Sequence, residues 1–210
     1  MATQMNKKQT KLFEIAESQH GYFTAKQAAA VGFLPTNSTY HVKAGSWIRE
    51  GLGIYRLRNF PTSRESQMAF LALWSKDRDD KIQGTYSHET ALSIYELSDV
   101  NPSKIHMTVT IKFRKFSKMP KVLKLHYKDL APSATQTVNG LKLTRPMQTL
   151  IDVFESATSM EFVEQAVQQA YRRGLVLMKE ITSPKTPPTV SEQFLKWIEW
   201  DKKHCKSVGA

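Results

Sequence analysis

GYFTAKQAAAVGFLPTNSTYHVKAGSWIREGLGIYRL, from Gly21 to Leu57, decides the reading of this chain. Thr24 is placed to cap a helix over 25–31, whose alanines allow close packing on a neighbour. Gly32 then supplies the left-handed residue that ends it. Phe33 and Leu34 are expected to fill the core between two helices, and Pro35 stops the chain from continuing helically. Thr36 or Asn37 is expected to cap the next helix, which runs to about Ala44 and is closed by Gly45. Val42 and Ala44, with Ser38 beside them, are expected inside. Thr39, Tyr40 and Lys43, with Asn37, are expected on the outer face. Strands over 47–50 and 54–57 follow, with Gly51 and Gly53 at the turn. Helix, turn, helix and hairpin in this order describe a winged helix-turn-helix, which offers one helix to the DNA major groove and a wing to the backbone.

The outward residues suit that geometry. Asn37 and Thr39 carry groups that read base edges, and Thr36 lies at the entrance to the same helix. Tyr40, Lys43, Lys26, Arg49 and Arg56 are of the types that hold phosphates. His41 is read first as a packing residue, and Trp47, Ile54 and Leu57 as core.

Working outward, residues 7–18 read as a first helix with Leu12, Ile15 and Ala16 on one face. Domain boundaries are expected at 1–60 for the winged unit, 61–182 for an α+β domain, and 183–210 for a Pro-rich linker and a last helix. Helices are expected over 63–76 and 88–97, the second capped by Ser87, and strands over 105–110 and 122–127. Asn139-Gly140 marks a type I′ hairpin, and Pro146 opens a helix to about 156. A further helix covers 159–173; the three prolines of 183–189 read as a stiff linker, and Ser191 as the cap of the last helix. The fold class is therefore α+β, with a small antiparallel or mixed sheet against helices in the second domain.

The 210 residues carry a net charge of +11 and are 40% hydrophobic. Such a charge favours a polyanionic partner without choosing among nucleic acids. No apolar run approaches the roughly 20 residues of a membrane span. The N-terminus lacks the apolar core of a secretory signal, and Cys205 is the only cysteine. A reducing cytoplasm is the expected compartment, with no membrane partner.

Three segments, GYFTAKQAAAVGF with YHVKAGSWIREGLGIYRL, SHETALSIYELSDVNPSKIHMTV and LTRPMQTLIDVFE, together resemble the AbiEi-type antitoxins. These are the DNA-binding halves of abortive-infection toxin–antitoxin pairs, which serve in phage defence. The resemblance implies a winged helix-turn-helix that represses its own operon at inverted repeats. It implies a second domain that neutralises a nucleotidyltransferase-like toxin, in the type IV scheme without need of a stable complex. Repression then falls to 36–43 and the wing at 49–56. No catalytic residue and no cofactor are expected.

Other residues invite other chemistry. No acid lies between Asp99 and Asp129, a window holding Lys112, Arg114, Lys115, Lys118 and Lys121 interleaved with Phe113 and Phe116. This is read either as a basic loop for nucleic acid or an acidic partner, or as a solvated hairpin with charged edges. Ser87, His88 and Glu89 are adjacent and cannot form a triad. His88 and His106 are candidates for a shared core hydrogen bond. The six histidines and one cysteine show no metal-ligand spacing, so no metal site is expected. Asp152 and Glu155 lie one turn apart, with Glu161 and Glu164 on the next helix, and keep a DNA-targeted nuclease or its specificity subunit as an alternative. A non-catalytic RNA-binding adaptor is the other alternative.

Overall fold

A computed structural model describes residues 2–156 and 158–205. They form two compact units, Met1–Gln83 with Arg114–Met119, and Gly84–Phe113 with Pro120–Ala210. The chain is α+β, with two sheets and helices in both units. Among the described residues no helix is long and apolar enough to cross a membrane.

The first unit runs α1 (Ala2–Glu17), β1 (Tyr22–Thr24), α2 (Ala25–Ala30), α3 (Asn37–Lys43), β2 (Trp47–Gly51), β3 (Ile54–Leu57) and α4 (Arg64–Trp74). Its antiparallel sheet has the order β1-β3-β2, with a bulge between Arg49 and Gly51. The Thr24 cap forms as expected: its hydroxyl accepts from the Gln27 amide at 3.2 Å, and Gln27 Oε1 accepts from the Thr24 amide at 2.8 Å. Gly32 takes φ +95° just past α2. The core gathers Leu12, Ala16, Phe23, Ala28, Phe33, Trp47 and Tyr55. Trp47 is its hub, edge-on to Phe23 at 4.8 Å and to Phe33 at 5.3 Å.

Three local expectations fail here. Leu34 is 65% exposed, because the 34–37 turn points it outward while Phe33 alone enters the core. Thr36 makes no side-chain cap; the carbonyls of Leu34 and Pro35 accept from the Asn37 and Ser38 amides instead, at 2.9 and 3.3 Å. Ala44 is exposed, and Val42 is the residue of α3 that packs on the core. The division near residue 60 also moves: α4, capped by Ser63, stays with the first unit, where Phe70 meets Tyr22 with ring centroids 5.7 Å apart.

The second unit runs β4 (Thr85–Tyr86), α5 (His88–Tyr95), β5 (Ile105–Val109), β6 (Leu123–Tyr127), β7 (Thr135–Val138), β8 (Leu141–Thr144), α6 (Pro146–Phe154), α7 (Met160–Arg172), α8 (Met178–Ile181) and α9 (Pro188–Cys205). Its five-stranded mixed sheet has the order β6-β5-β4-β8-β7. The β7–β8 turn has Asn139 at φ 50° and Gly140 at φ 77°, as a type I′ turn requires. β5 and β6 run parallel, so the basic window between them is a crossover and not a hairpin.

Residues 183–189 are not the stiff linker expected. Thr186 is buried and donates to the Glu180 carbonyl at 2.8 Å, and α9 already begins at Pro188, with Ser191 inside it. The last helix belongs to the second unit: Phe194 sits 5.7 Å from Phe154, and Asp201 accepts from Arg172 Nε at 2.7 Å.

Candidate functional site

In the first unit α3 is anchored by one face. His41 stacks on Trp47 with centroids 4.5 Å apart and planes 16° apart, and its Nδ1 lies 3.2 Å from Ser46 Oγ. Burial lowers its pKa from the ordinary histidine value, as fits a packing residue. The opposite face is open. Thr39 and Lys43 are exposed, Tyr40 is 69% exposed, and Asn37 is half-buried at the first turn. Thr36 is exposed just before it. On the hairpin Arg49 is exposed, and Leu52 projects at the turn.

Two of the residues expected on this surface are otherwise engaged. Arg56 is 8% exposed; its Nε donates to Glu50 Oε1 at 2.9 Å and its Nη1 to the Phe60 carbonyl at 2.6 Å. It is part of the hairpin's interior and is not placed to touch DNA. Lys26 is exposed, but its ammonium is held by Asp80 Oδ2 at 2.9 Å and by the Arg78 carbonyl at 2.8 Å.

The basic window divides between the units. Lys112 and Lys121 belong to the second, and Arg114, Lys115 and Lys118 to the first. All five are exposed. Lys115 donates to the Lys76 carbonyl at 2.6 Å and lies 5.9 Å from the Trp74 ring centroid. Burial lowers its pKa. Phe113 is buried, while Phe116 is 94% exposed among the cations.

The second unit holds a cluster that no sequence spacing announces. In the parallel β5–β6 register Thr108 faces His126, so His106, Thr108 and His126 share one face of the sheet. His88 opens α5 with φ 51°, and its ring stacks on His126 at 3.5 Å. His126 Nε2 lies 3.3 Å from His106 Nδ1, so the hydrogen bond expected between His88 and His106 goes to His126 instead. Ser87 does not cap α5 with its hydroxyl; that oxygen accepts from Thr108 Oγ1 at 2.7 Å and lies 2.9 Å from His88 Nδ1. Burial, then the neighbouring histidines and lysines, hold His88 at a pKa of about 3. Burial likewise holds His106 and His126 at about 4.

Beside the cluster a cavity of about 320 Å³ is lined by His88, Thr108, His126, Lys128, Asp152 and Glu155, among others. Lys128 Nζ lies 2.9 Å from Asp152 Oδ1 and 3.6 Å from Glu155 Oε2. Burial pushes the Asp152 carboxyl up, against the pull of Lys128. Asp152 Oδ2 is buried and has no hydrogen-bond partner among the described residues. The two acids singled out for metal-dependent cleavage are thus gathered around one lysine. Of the other two, Glu164 accepts from Gln168 on its own helix at 3.2 Å.

Residues 11–58 match the family described as "Transcriptional regulator, AbiEi antitoxin". The matched stretch runs from within α1 to the end of β3. No curated protein matches the chain. Among solved structures it is similar to the RV2827C protein from Mycobacterium tuberculosis, at 13% identity over 90% of this chain and 80% of that one, with a TM-score of 0.47.

Proposed function

We propose that the first unit is a winged helix-turn-helix that binds duplex DNA at inverted repeats. In this reading the protein is a transcriptional autorepressor and the antitoxin of a pair whose toxin is nucleotidyltransferase-like. The observation that carries it is the match of residues 11–58 to an antitoxin and regulator family, over the segment where α3 leaves Thr39, Tyr40 and Lys43 uncovered. Two further features support it. The opposite side of α3 is committed to the core through Val42 and the His41–Trp47 stack, so the exposed side is the one left for a ligand. The net charge of +11 favours a phosphate backbone.

This reading makes the role one of binding; it is supported by Lys128, which lies 2.9 Å from Asp152 and 3.6 Å from Glu155 and competes with a metal for these two acids. The intracellular, reducing setting belongs to the same reading. A gel-shift titration tests it, with duplex from the chain's own upstream region against scrambled duplex at two salt concentrations. Selective binding that persists at the higher salt supports repression. Unselective binding lost with salt overturns it. Coexpression with a nucleotidyltransferase-like toxin then tests antitoxicity through restored growth.

One observation favours a second reading. Phe116 stands exposed between Lys115 and Lys118, an arrangement suited to stacking on a single-stranded base. Competition between structured RNA and duplex DNA separates that adaptor role from repression.

A further inference from the structure

Three imidazoles from one helix and two strands converge in the second unit. The ligating nitrogens of His88, His106 and His126 all lie within 4.8 Å of one another. His106 Nδ1 and His126 Nε2 are 3.3 Å apart. A tetrahedral zinc ion with Zn–N bonds of about 2.0–2.1 Å holds its ligand nitrogens about 3.3–3.4 Å apart, so this pair is already spaced as two ligands of one ion. His88 lies face to face on His126 at 3.5 Å, so binding requires its ring to turn out of that stack and direct a nitrogen at the same ion.

The surroundings are those of a ligand set. Metal-binding imidazoles are oriented by a partner on the nitrogen that does not bind. Ser87 Oγ lies 2.9 Å from His88 Nδ1, which leaves Nε2 for the ion. On His106 it is Nδ1 that faces His126, while Glu89 Oε2 lies 4.0 Å from Nε2, outside hydrogen-bond reach. Glu89 is itself fixed, its Oε1 accepting from Thr158 Oγ1 at 3.1 Å. Of the nearby cations, Lys128 is offset by Asp152 and Glu155, and Lys124 is exposed to solvent.

A second observation points to a ligand. The cavity that His88 and His126 line is also lined by Asp152, whose Oδ2 is buried without a hydrogen-bond partner among the described residues. A buried carboxylate oxygen left unbonded is costly unless a donor reaches it. Water on a bound ion is such a donor.

We propose that His88, His106 and His126 bind one divalent transition-metal ion of the zinc class, with a remaining coordination position open to the cavity lined by Asp152. Three protein ligands with an open fourth position leave the ion able to take an exogenous donor. A site of this kind gives the second unit a metal-binding role, independent of whether the first unit binds DNA.

The test uses the full chain, stripped with chelator and titrated with Zn²⁺ by calorimetry, and with Co²⁺ by visible absorption. One ion per chain is expected, with the intense Co²⁺ bands of a four-coordinate nitrogen site. His126→Ala and His106→Gln should each weaken Zn²⁺ by more than the about 10–100-fold that loss of an outer partner costs. The double variant His204→Ala, Cys205→Ser should bind as the wild type does. Imidazole ¹⁵N spectra of the wild-type chain keep the test decisive if a variant fails to fold: three of the six histidines should move on adding Zn²⁺. No binding, octahedral Co²⁺ spectra, unchanged affinity in folded His126→Ala, or loss of binding in the double variant would each overturn the proposal.

Discussion

Arg56 donates to Glu50 across the β2–β3 hairpin at 2.9 Å, with the Arg56 side chain 9% and the Glu50 side chain 30% exposed. The guanidinium also ties the hairpin to the Phe60 carbonyl, so one side chain fixes both the hairpin and the chain leaving it. Arg56→Ala removes two charge-assisted hydrogen bonds and should destabilise the first unit by about 2–3 kcal/mol. Arg56→Lys should recover only part, since an ammonium cannot reproduce the forked geometry. Urea unfolding checks this. A wild-type midpoint in Arg56→Ala would mean that the pair contributes nothing.

Two glycines with similar backbones should respond differently to alanine. Gly140, at φ 77°, has nothing within 4 Å of an added Cβ, so Gly140→Ala meets only the left-handed penalty, about 1 kcal/mol. Gly21, at φ 91°, would place its Cβ 2.4 Å from Phe60 Cβ. Gly21→Ala should therefore cost a further ~1–3 kcal/mol of overpacking. Thermal unfolding of both variants tests the order; equal losses would show that Phe60 moves aside freely.

The histidine cluster predicts acid sensitivity in chelator-treated protein. His88 sits at about 3, and His106 and His126 at about 4, all below the ordinary 6.5. Below that ordinary value the unfolded chain binds protons that the folded chain refuses, so stability falls as pH drops from about 6.5 toward 4. Asp152, raised by burial, acts oppositely. The urea midpoint should decline between pH 7 and pH 5, and His126→Asn should flatten the decline. A midpoint constant over that interval would contradict the buried, neutral state.

What was legible in the sequence was what a few neighbouring residues decide. The Thr24–Gln27 cap, the Asn139-Gly140 turn and the Pro146 helix start each rest on chemistry within about four residues. Expectations failed where a distant partner won. The Ser87 hydroxyl went to Thr108 and His88 instead of a cap, and the Arg56 guanidinium went to Glu50 instead of solvent. The crossover between β5 and β6 could not be told from a hairpin, because alternation reports a strand and not its direction. That same parallel register brings His106 and His126 together. Their separation along the chain matches no ligand motif, so the cluster was invisible until the sheet was known.

The residues proposed to meet DNA separate by what already holds them. Lys43 and Arg49 are exposed, whereas Lys26 is engaged by Asp80 and Arg78. If α3 and the wing meet duplex DNA, Lys43→Ala and Arg49→Ala should weaken binding to all sequences alike. Each should lower the log–log salt slope by about 0.9, the loss of one phosphate contact. Thr39→Ala should instead alter sequence preference and leave the slope unchanged, because a base contact releases no counterion. Lys26→Ala should change neither, since its charge is already paired. Fluorescence anisotropy at four salt concentrations distinguishes these outcomes. A slope reduced in Lys26→Ala as much as in Lys43→Ala would mean that the Asp80 pair opens on DNA, and that α2 belongs to the interface.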